Sequence, residues 1–273
     1  QLWDVTADEI EKMGGRIIRN ARVVGFMTDG EHRVKAIRYV EGGEEKTMEG
    51  DEFISSMPIK DLVGGMNDVP RAIAQIAAGL PYRDYMTLGI LVRRLNLKNK
   101  TNVRTISNIV PDNWIYVHER KVKLGRLQIY NNWSPYLVKD LNNTMWVGLE
   151  YFANEGDKLW SLSDEQFTRF AIHEIVGMGL INSPDDVLDS HVERVKKAYP
   201  AYYDTYDRID EVIRYLDGFE NLYCVGRNGQ HRYNNIDHSM MTSFLTVDNI
   251  LSGRTDKSNI WNVNTEKEYH ETK

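Results

Sequence analysis

Cysteine is almost absent: Cys224 stands alone among 273 residues. That excludes an internal disulfide framework and suits a reducing, cytoplasmic setting. No Cys/His spacing matches a structural zinc, so no metal site is expected. No apolar run reaches the roughly 18 residues that span a bilayer, so no membrane span is expected. A Walker A loop, a Gly-x-Ser-x-Gly elbow, a His-Glu-x-x-His pair and an internal repeat are all missing. The net charge of -6 removes the bulk positive field of a nucleic-acid scaffold, so an anionic ligand must be gripped by locally placed Arg or Lys. The chain opens Gln1-Leu-Trp-Asp with neither a Met nor a signal peptide, and is read as a piece of something longer.

What is present is the composition of a globular protein, 41% hydrophobic and 10% aromatic. Leu2, Val5, Ile10 and Met13 fall at roughly helical spacing and stop at Gly14-Gly15, predicting an opening helix. Short Val- and Ile-rich runs follow at 17–18, 22–26, 34–40, 46–49 and 52–56, separated by Asp29-Gly30 and Gly42-Gly43. They read as strands of antiparallel hairpins. Helices are predicted after Met57-Pro58 and from Pro70 to Leu80, then strands over 85–92, 114–118, 125–130 and 145–152. Ser163-Asp-Glu-Gln166 is a capping box ahead of Phe167, Phe170, Ala171, Ile175 and Met178, the clearest helix signal in the chain. A strand over 187–196 and a helix through Tyr206, Ile209, Ile213 and Leu216 come next, and 252–273 reads as a polar, frayed tail.

Two stretches hold more polar chemistry than structure alone asks for. In Gly125-Arg-Leu-Gln-Ile-Tyr130 the strand period puts Arg126, Gln128 and Tyr130 on one face; an amphipathic edge strand with a wet side would look the same. From Leu222 to Leu245 a strand-length apolar run breaks at Gly226, passes through Arg227, His231, Arg232, Tyr233, Asn234, Asn235 and Asp237, and resumes at helical length. A loop aiming N–H groups and a helix N-terminus at one point suits an anion or an electron-rich ring. A polar network capping the last helix explains the same residues, and the spacing leaves both open. Met240, Met241, Phe244, Leu245 and Val247 read as core.

Gly226-Arg-Asn-Gly-Gln-His-Arg-Tyr-Asn-Asn235 resembles the C-terminal region of the UDP-galactopyranose mutases and their relatives in the flavin-containing amine oxidase and protoporphyrinogen oxidase superfamily. Arg227 and Tyr233 fall on that family's Arg and Tyr. Gly125 to Trp133 resembles the mutase strand whose arginine approaches flavin and substrate. Phe53-Ile-Ser-Ser-Met-Pro58 resembles the strand and turn that close the hairpin insert of the FAD domain. Asn235 stands where the mutases carry Asp, keeping an acceptor and losing a charge, and Asn-Asn-x-Asp-His-Ser-Met is closer to related oxidoreductases of cell-surface polysaccharide (LPS) gene neighbourhoods.

The resemblance implies an α+β fold, with a mixed, mostly antiparallel sheet from about Tyr82 to Lys197, flanking helices, and remnants of a dinucleotide-binding domain. It implies a truncated FAD domain at 1–81, a substrate domain at 82–203, the last helices and strand of the FAD domain at 204–252, and the tail at 253–273. The expected cofactor is FAD and the expected partner a nucleotide-sugar substrate. Arg126, Arg227, Tyr233 and Tyr130 would bind substrate, while Gly226, Asn235, Asp237, Ser239 and Met240 would face the flavin. No side chain is expected to be catalytic, the flavin being the nucleophile. The Gly-x-Gly-x-x-Gly strand, turn and helix that takes the FAD pyrophosphate is not in this sequence. The fragment alone is therefore expected to bind FAD poorly and to be inactive without that missing N-terminal segment. An amine- or porphyrinogen-type oxidase, or a silent folded module, are the alternatives.

Overall fold

The computed structural model describes residues 1–30 and 32–264. The chain divides into two compact units, one made of 1–81 and 200–273 and the other of 82–199. The first unit opens with α1 (Leu2–Lys12), in which no residue is buried. Residues 17–18, expected as a strand, lie outside any regular element. β1 (Ala21–Thr28), β2 (Val34–Glu41) and β3 (Glu44–Glu49) form an antiparallel sheet in that order. β4 (Phe53–Ser55) is not a further hairpin strand: it pairs in parallel with residues 222–224. The buried Asn221, just ahead of residues 222–224, ties the chain before β4 to the start of β2. Its Nδ2 donates to Val34 and Asp51 carbonyls at 2.8 and 2.7 Å, and its Oδ1 accepts from Val34 N–H at 2.9 Å. β4 itself takes its backbone partners from the chain around residues 222–224, Phe53 N–H donating to Asn221 O at 2.8 Å and Val225 N–H to Ser55 O at 2.9 Å, so its backbone groups are met without a hairpin neighbour. α2 (Ile59–Gly64) and α3 (Arg71–Gly79) each follow an N-cap proline, whose fixed φ and missing N–H suit a helix start.

The second unit holds β5 (Tyr82–Val92), β6 (Trp114–Tyr116), β7 (Leu124–Ile129), a helical turn α4 (Tyr130–Trp133), β8 (Met145–Tyr151), α5 (Asp164–Gly177) and β9 (Val187–Pro200). Its five-stranded sheet runs β6-β7-β8-β5-β9, and the β6-β7, β7-β8 and β8-β5 pairs are antiparallel. Met86, Leu88, Ile90 and Val92 alternate onto the face that takes Phe167, Ala171 and Ile175 of α5. The capping box is present, with Gln166 N–H donating to Ser163 Oγ at 3.2 Å and Ser163 N–H to Gln166 Oε1 at 3.0 Å. Each fully buried apolar side chain of that interface contributes roughly 1.5–3 kcal/mol. β9 continues four residues beyond the expected Lys196, to Pro200.

Back in the first unit come α6 (Ile209–Asp217), β10 (Leu222–Cys224), a short turn α7 (Gly226–Gly229), α8 (Ile236–Ser252) and α9 (Ser258–Trp261). The stretch after Ser252 is not a frayed tail as far as Asn264. Lys257, Ile260, Trp261 and Asn264 are buried, and Trp261 Nε1 donates to Asp217 Oδ1 at 2.8 Å. Lys257 Nζ donates to the Phe219 and Leu222 carbonyls, with its charge over the Tyr223 ring at 4.6 Å. A polar sequence is buried here because each polar group meets a partner. The remainder of the expected tail, 265–273, lies outside the described residues. No helix among the described residues is long and apolar enough to cross a membrane.

Candidate functional site

The polar stretch between β10 and α8 divides its side chains between two tasks. Gly226 takes φ +71°, a left-handed turn that ends β10. Its N–H donates to Thr242 Oγ1 at 2.9 Å. The chain then forms α7 rather than an open loop. A Cβ on Gly229 would sit 2.7 Å from the Ser55 carbonyl oxygen, so only glycine lets this turn lie against β4.

The first task is internal. Gln230 and His231 are 0% exposed. Gln230 Nε2 donates to Ile260 O at 3.0 Å, and His231 Nε2 lies 3.1 Å from Ala201 O. Burial pushes the His231 imidazole down to about 4, which keeps it neutral at ordinary pH. Arg232 Nη1 donates to Trp261 O at 2.8 Å and to Asn264 O, and Asn264 Nδ2 donates to Tyr233 O at 2.9 Å. These residues build the capping network that was one of the two readings of the stretch.

The second task faces outward. Arg227, Asn234, Asn235, Ser239, Met240 and Phe244 share with Leu2, Trp3 and Thr6 of α1 a cleft of about 780 Å³. The Arg227 guanidinium lies over the Tyr233 ring at 4.8 Å, and its Nε donates to Asn234 O at 2.9 Å. Asn235 is the N-cap of α8, and its N–H donates to His238 Nδ1 at 3.3 Å. Asn234 is 1% exposed and its Nδ2 donates to Gln230 Oε1 at 3.2 Å. Its Oδ1 has no hydrogen-bond partner among the described residues. A buried acceptor left without a donor beside a cleft is costly, on the order of 1–3 kcal/mol, unless a ligand N–H meets it.

Of the residues expected at the cofactor, the cleft therefore gathers Asn235, Ser239 and Met240. Gly226 lies behind it and is buried, and Asp237 is exposed on the first turn of α8. Of the substrate residues, Arg227 lines the cleft and Tyr233 stacks on it. Spacing did not identify Leu2, Trp3 and Thr6, and Phe244 was assigned to the core. Four apolar side chains of α8 are a correction: Met240, Met241, Phe244 and Val247 are 38–56% exposed, while Leu245 packs on Tyr223, Val225 and Ile260 as expected, and the buried residues are Thr242, Thr246 and Asn249. The threonines and asparagine at four- and three-residue spacing were a legible stripe, but a hydrophobic count overlooks it.

Arg126 and Tyr130 belong to the other unit. A bulge at Gly125 lets Leu124 face the core while Arg126 and Gln128 face the opposite side. Tyr130 is the first residue of α4, and a Cβ on Gly148 would stand 2.6 Å from its hydroxyl. Arg126 is 0% exposed and paired with the buried Glu150, Nη2 to Oε2 at 2.6 Å and Nε to Oε2 at 2.8 Å. Gln128 Nε2 also donates to Glu150, and Arg126 Nη2 donates to Tyr199 Oη at 2.9 Å. The guanidinium lies 4.8 Å from the Trp114 ring and 5.2 Å from Phe152. Sequence reading missed Glu150, a single carboxylate inside the apolar strand Met145–Tyr151. Burial raises the Tyr130 phenol, with the Glu150 charge adding to the effect.

A scan against protein-family models and a search of curated proteins each find no match. Among solved structures, the chain is similar to reduced UDP-galactopyranose mutase, with TM-score 0.72 and 19% identity over 94% of this chain and 53% of that one. It is similar to wild-type putrescine oxidase bound to putrescine, with TM-score 0.59 and 12% identity over 91% of this chain and 52% of that one. An oxidoreductase from Methanosarcina mazei matches with TM-score 0.51 and 12% identity over 83% and 48%. The chain thus spans about half the length of the solved structures it matches, and at these identities the likeness is one of fold.

Proposed function

We propose that this chain is the C-terminal part of an FAD-dependent enzyme of the UDP-galactopyranose mutase type, acting on a nucleotide sugar in cell-surface polysaccharide synthesis. The observation that carries the reading is the cleft at the start of α8, on a fold that follows the mutase over 94% of the chain. Its residues fit the ring end of a flavin. Trp3, Met240 and Phe244 offer apolar walls, the α8 N-terminus offers a positive end, and Asn234 Oδ1 offers an acceptor in want of a ring N–H. When bound, the flavin supplies nucleophilic or hydride-accepting chemistry.

The chain's own residues then bind and orient. Arg227 holds an anionic group of the substrate, since a planar guanidinium matches phosphate oxygens, and Tyr233 fixes its plane from one side. Asn235 caps α8, and its carbonyl accepts from Ser239 N–H at 3.0 Å, which fixes the first turn beside the cleft. In the sheet unit Tyr130 is the proposed sugar contact. Arg126, wholly enclosed as it stands, acts by holding Glu150 and Gln128 in place. The oxidase alternative is favoured by one observation, the match to putrescine oxidase over 91% of the chain.

FAD titrated into the whole protein, followed by flavin absorbance, tests the cofactor, and UDP-galactose turnover under reducing conditions tests the reaction. Arg227→Ala is expected to weaken UDP binding about 10- to 100-fold, the worth of a charge-assisted hydrogen bond, with an unchanged melting temperature. Unchanged affinity makes Arg227 structural. Absence of turnover with reduced flavin bound rejects the mutase, and oxygen consumption with an amine substrate establishes the oxidase.

A further inference from the structure

The stretch from 93 to 110, between β5 and β6, carries Arg93, Arg94, Lys98, Lys100 and Arg104 and no Asp or Glu, in a chain of net charge -6. All five basic residues are exposed. The stretch is ordered by its own side chains. Thr101 N–H donates to Asn99 Oδ1 at 2.9 Å, Asn99 Nδ2 to Val103 O at 2.8 Å, and Val103 N–H to Thr101 Oγ1 at 3.1 Å. Ser107 and Asn108 both take left-handed φ, 54° and 55°, and they separate the buried Ile109 from Ile106, which is 47% exposed.

The segment 131–145 lies against this stretch. Ser107 Oγ donates to Asn142 O at 3.0 Å, Asn132 Nδ2 donates to Val110 O at 2.8 Å, and Arg93 and Arg94 share a small cavity with Leu141 and Asn142. That segment presents Tyr136 at 95% exposure and Leu137 at 53%, on a turn started by Pro135. Val103 is 57% exposed. Its own charges are Lys139 and Asp140, and the Asp140 carboxylate is occupied by Asn143 N–H and Nδ2. Asp112 is a further acidic neighbour, and the loop that Asn96 bonds at Gly179, Leu180 and Asn182 adds Asp185 and Asp186, so six basic side chains stand against four acidic ones and the balance at this end is positive.

We propose that this end of the second unit, formed by the loops at 93–110 and 131–145, is a docking surface for an anionic bilayer. Five basic side chains answer the negative surface potential of such a membrane, each contributing about a fivefold gain in partition near the headgroups. The apolar tips separate this occupant from a soluble polyanion. Val103, Ile106 and Leu137 have nothing to give a soluble phosphate, whereas a bilayer receives them, and the ring of Tyr136, at its headgroup boundary. The acidic balance of the rest of the chain orients docking, because other faces are repelled by the same membrane. The inference is independent of what occupies the cleft at α8.

Co-sedimentation of the 273-residue chain with phosphatidylcholine vesicles, and with vesicles containing about one-third phosphatidylglycerol, tests it. Binding is expected only to the anionic vesicles and should fall as salt rises. Arg94→Ala, Lys98→Ala and Arg104→Ala together should lower partition about a hundredfold. Ile106→Asp with Leu137→Asp should lower it at least about tenfold, with the circular-dichroism melting curve unchanged. Equal partition to neutral vesicles, or none to either, overturns the proposal. So does competition by inorganic polyphosphate combined with no effect of the two Asp substitutions, which makes the patch a soluble-anion site.

Discussion

α5 and α8 are both amphipathic helices, and the side chains each buries completely are of opposite kinds. α5 turns Phe167, Ala171 and Ile175 into its core, and the Phe167 ring meets Tyr151 edge to face at 5.1 Å. α8 turns Thr242, Thr246 and Asn249 inward and leaves Ile236, Phe244 and Leu251 at 65%, 56% and 81% exposure. Every buried polar side chain on α8 has a use. Thr242 Oγ1 accepts from Gly226 N–H and donates to Ser239 O at 2.7 Å, Thr246 Oγ1 donates to Thr242 O at 2.8 Å, and Asn249 Nδ2 donates to Asn259 Oδ1 at 2.9 Å. Amphipathicity sets two faces apart without saying which goes inside. That is decided by what each face meets, a bare apolar sheet under α5 and the backbone of a tight turn under α8.

Breaking the comparison at its strongest point gives the largest effect. Phe167→Ala is expected to cost about 3–5 kcal/mol in the unfolding of the sheet unit, from lost burial and the cavity left behind. Phe244→Ala, the same change on α8, should stay within about 0.5 kcal/mol. Urea denaturation followed by circular dichroism measures both, and equal losses would mean that α8 also buries its aromatic face.

Acid sharpens the polar side of the comparison. His231 is held at about 4 in the folded chain against an ordinary 6.5. Below pH 6.5 the unfolded chain takes a proton that the folded chain refuses until about pH 4. Stability of the first unit is therefore fully present above pH 6.5, falls as pH drops from 6.5 towards 4, and levels off below, with a total loss of at most about 3 kcal/mol. His231→Gln should flatten unfolding midpoints across that window. An unchanged slope would assign it to other groups.

Thr242→Val tests the turn itself. It keeps the volume and strands the buried Gly226 N–H, at about 1–3 kcal/mol. A valine there without cost would show that the turn finds another acceptor.

Local signals were read correctly where they suffice. The Ser163 capping box, the prolines ahead of α2 and α3, and the alternation in β5 are each settled within a few residues of chain. Alternation likewise put Arg126 and Gln128 on one face of β7. Their shared partner Glu150 was illegible, because one carboxylate in an apolar strand looks like an accident until the neighbouring strand is laid beside it. The wall of the cleft that α8 and the turn before it supply was visible in Arg227, Asn235, Ser239 and Met240. The facing wall, Leu2, Trp3 and Thr6, is supplied by a helix more than 200 residues earlier in the chain.

By itself, then, the sequence determined most of the longer elements and the caps of α2, α3 and α5, the turn at Gly226 and the chemistry on offer around it. Those follow from backbone sterics and side-chain spacing over one or two turns of chain. Tertiary structure alone decided that β4 pairs in parallel with β10, that Lys257, Ile260, Trp261 and Asn264 are buried, and that α8 leaves Met240, Met241, Phe244 and Val247 exposed. Each of those turns on whether a polar group finds a partner or an apolar one finds a neighbour, and the groups that answer lie far along the chain.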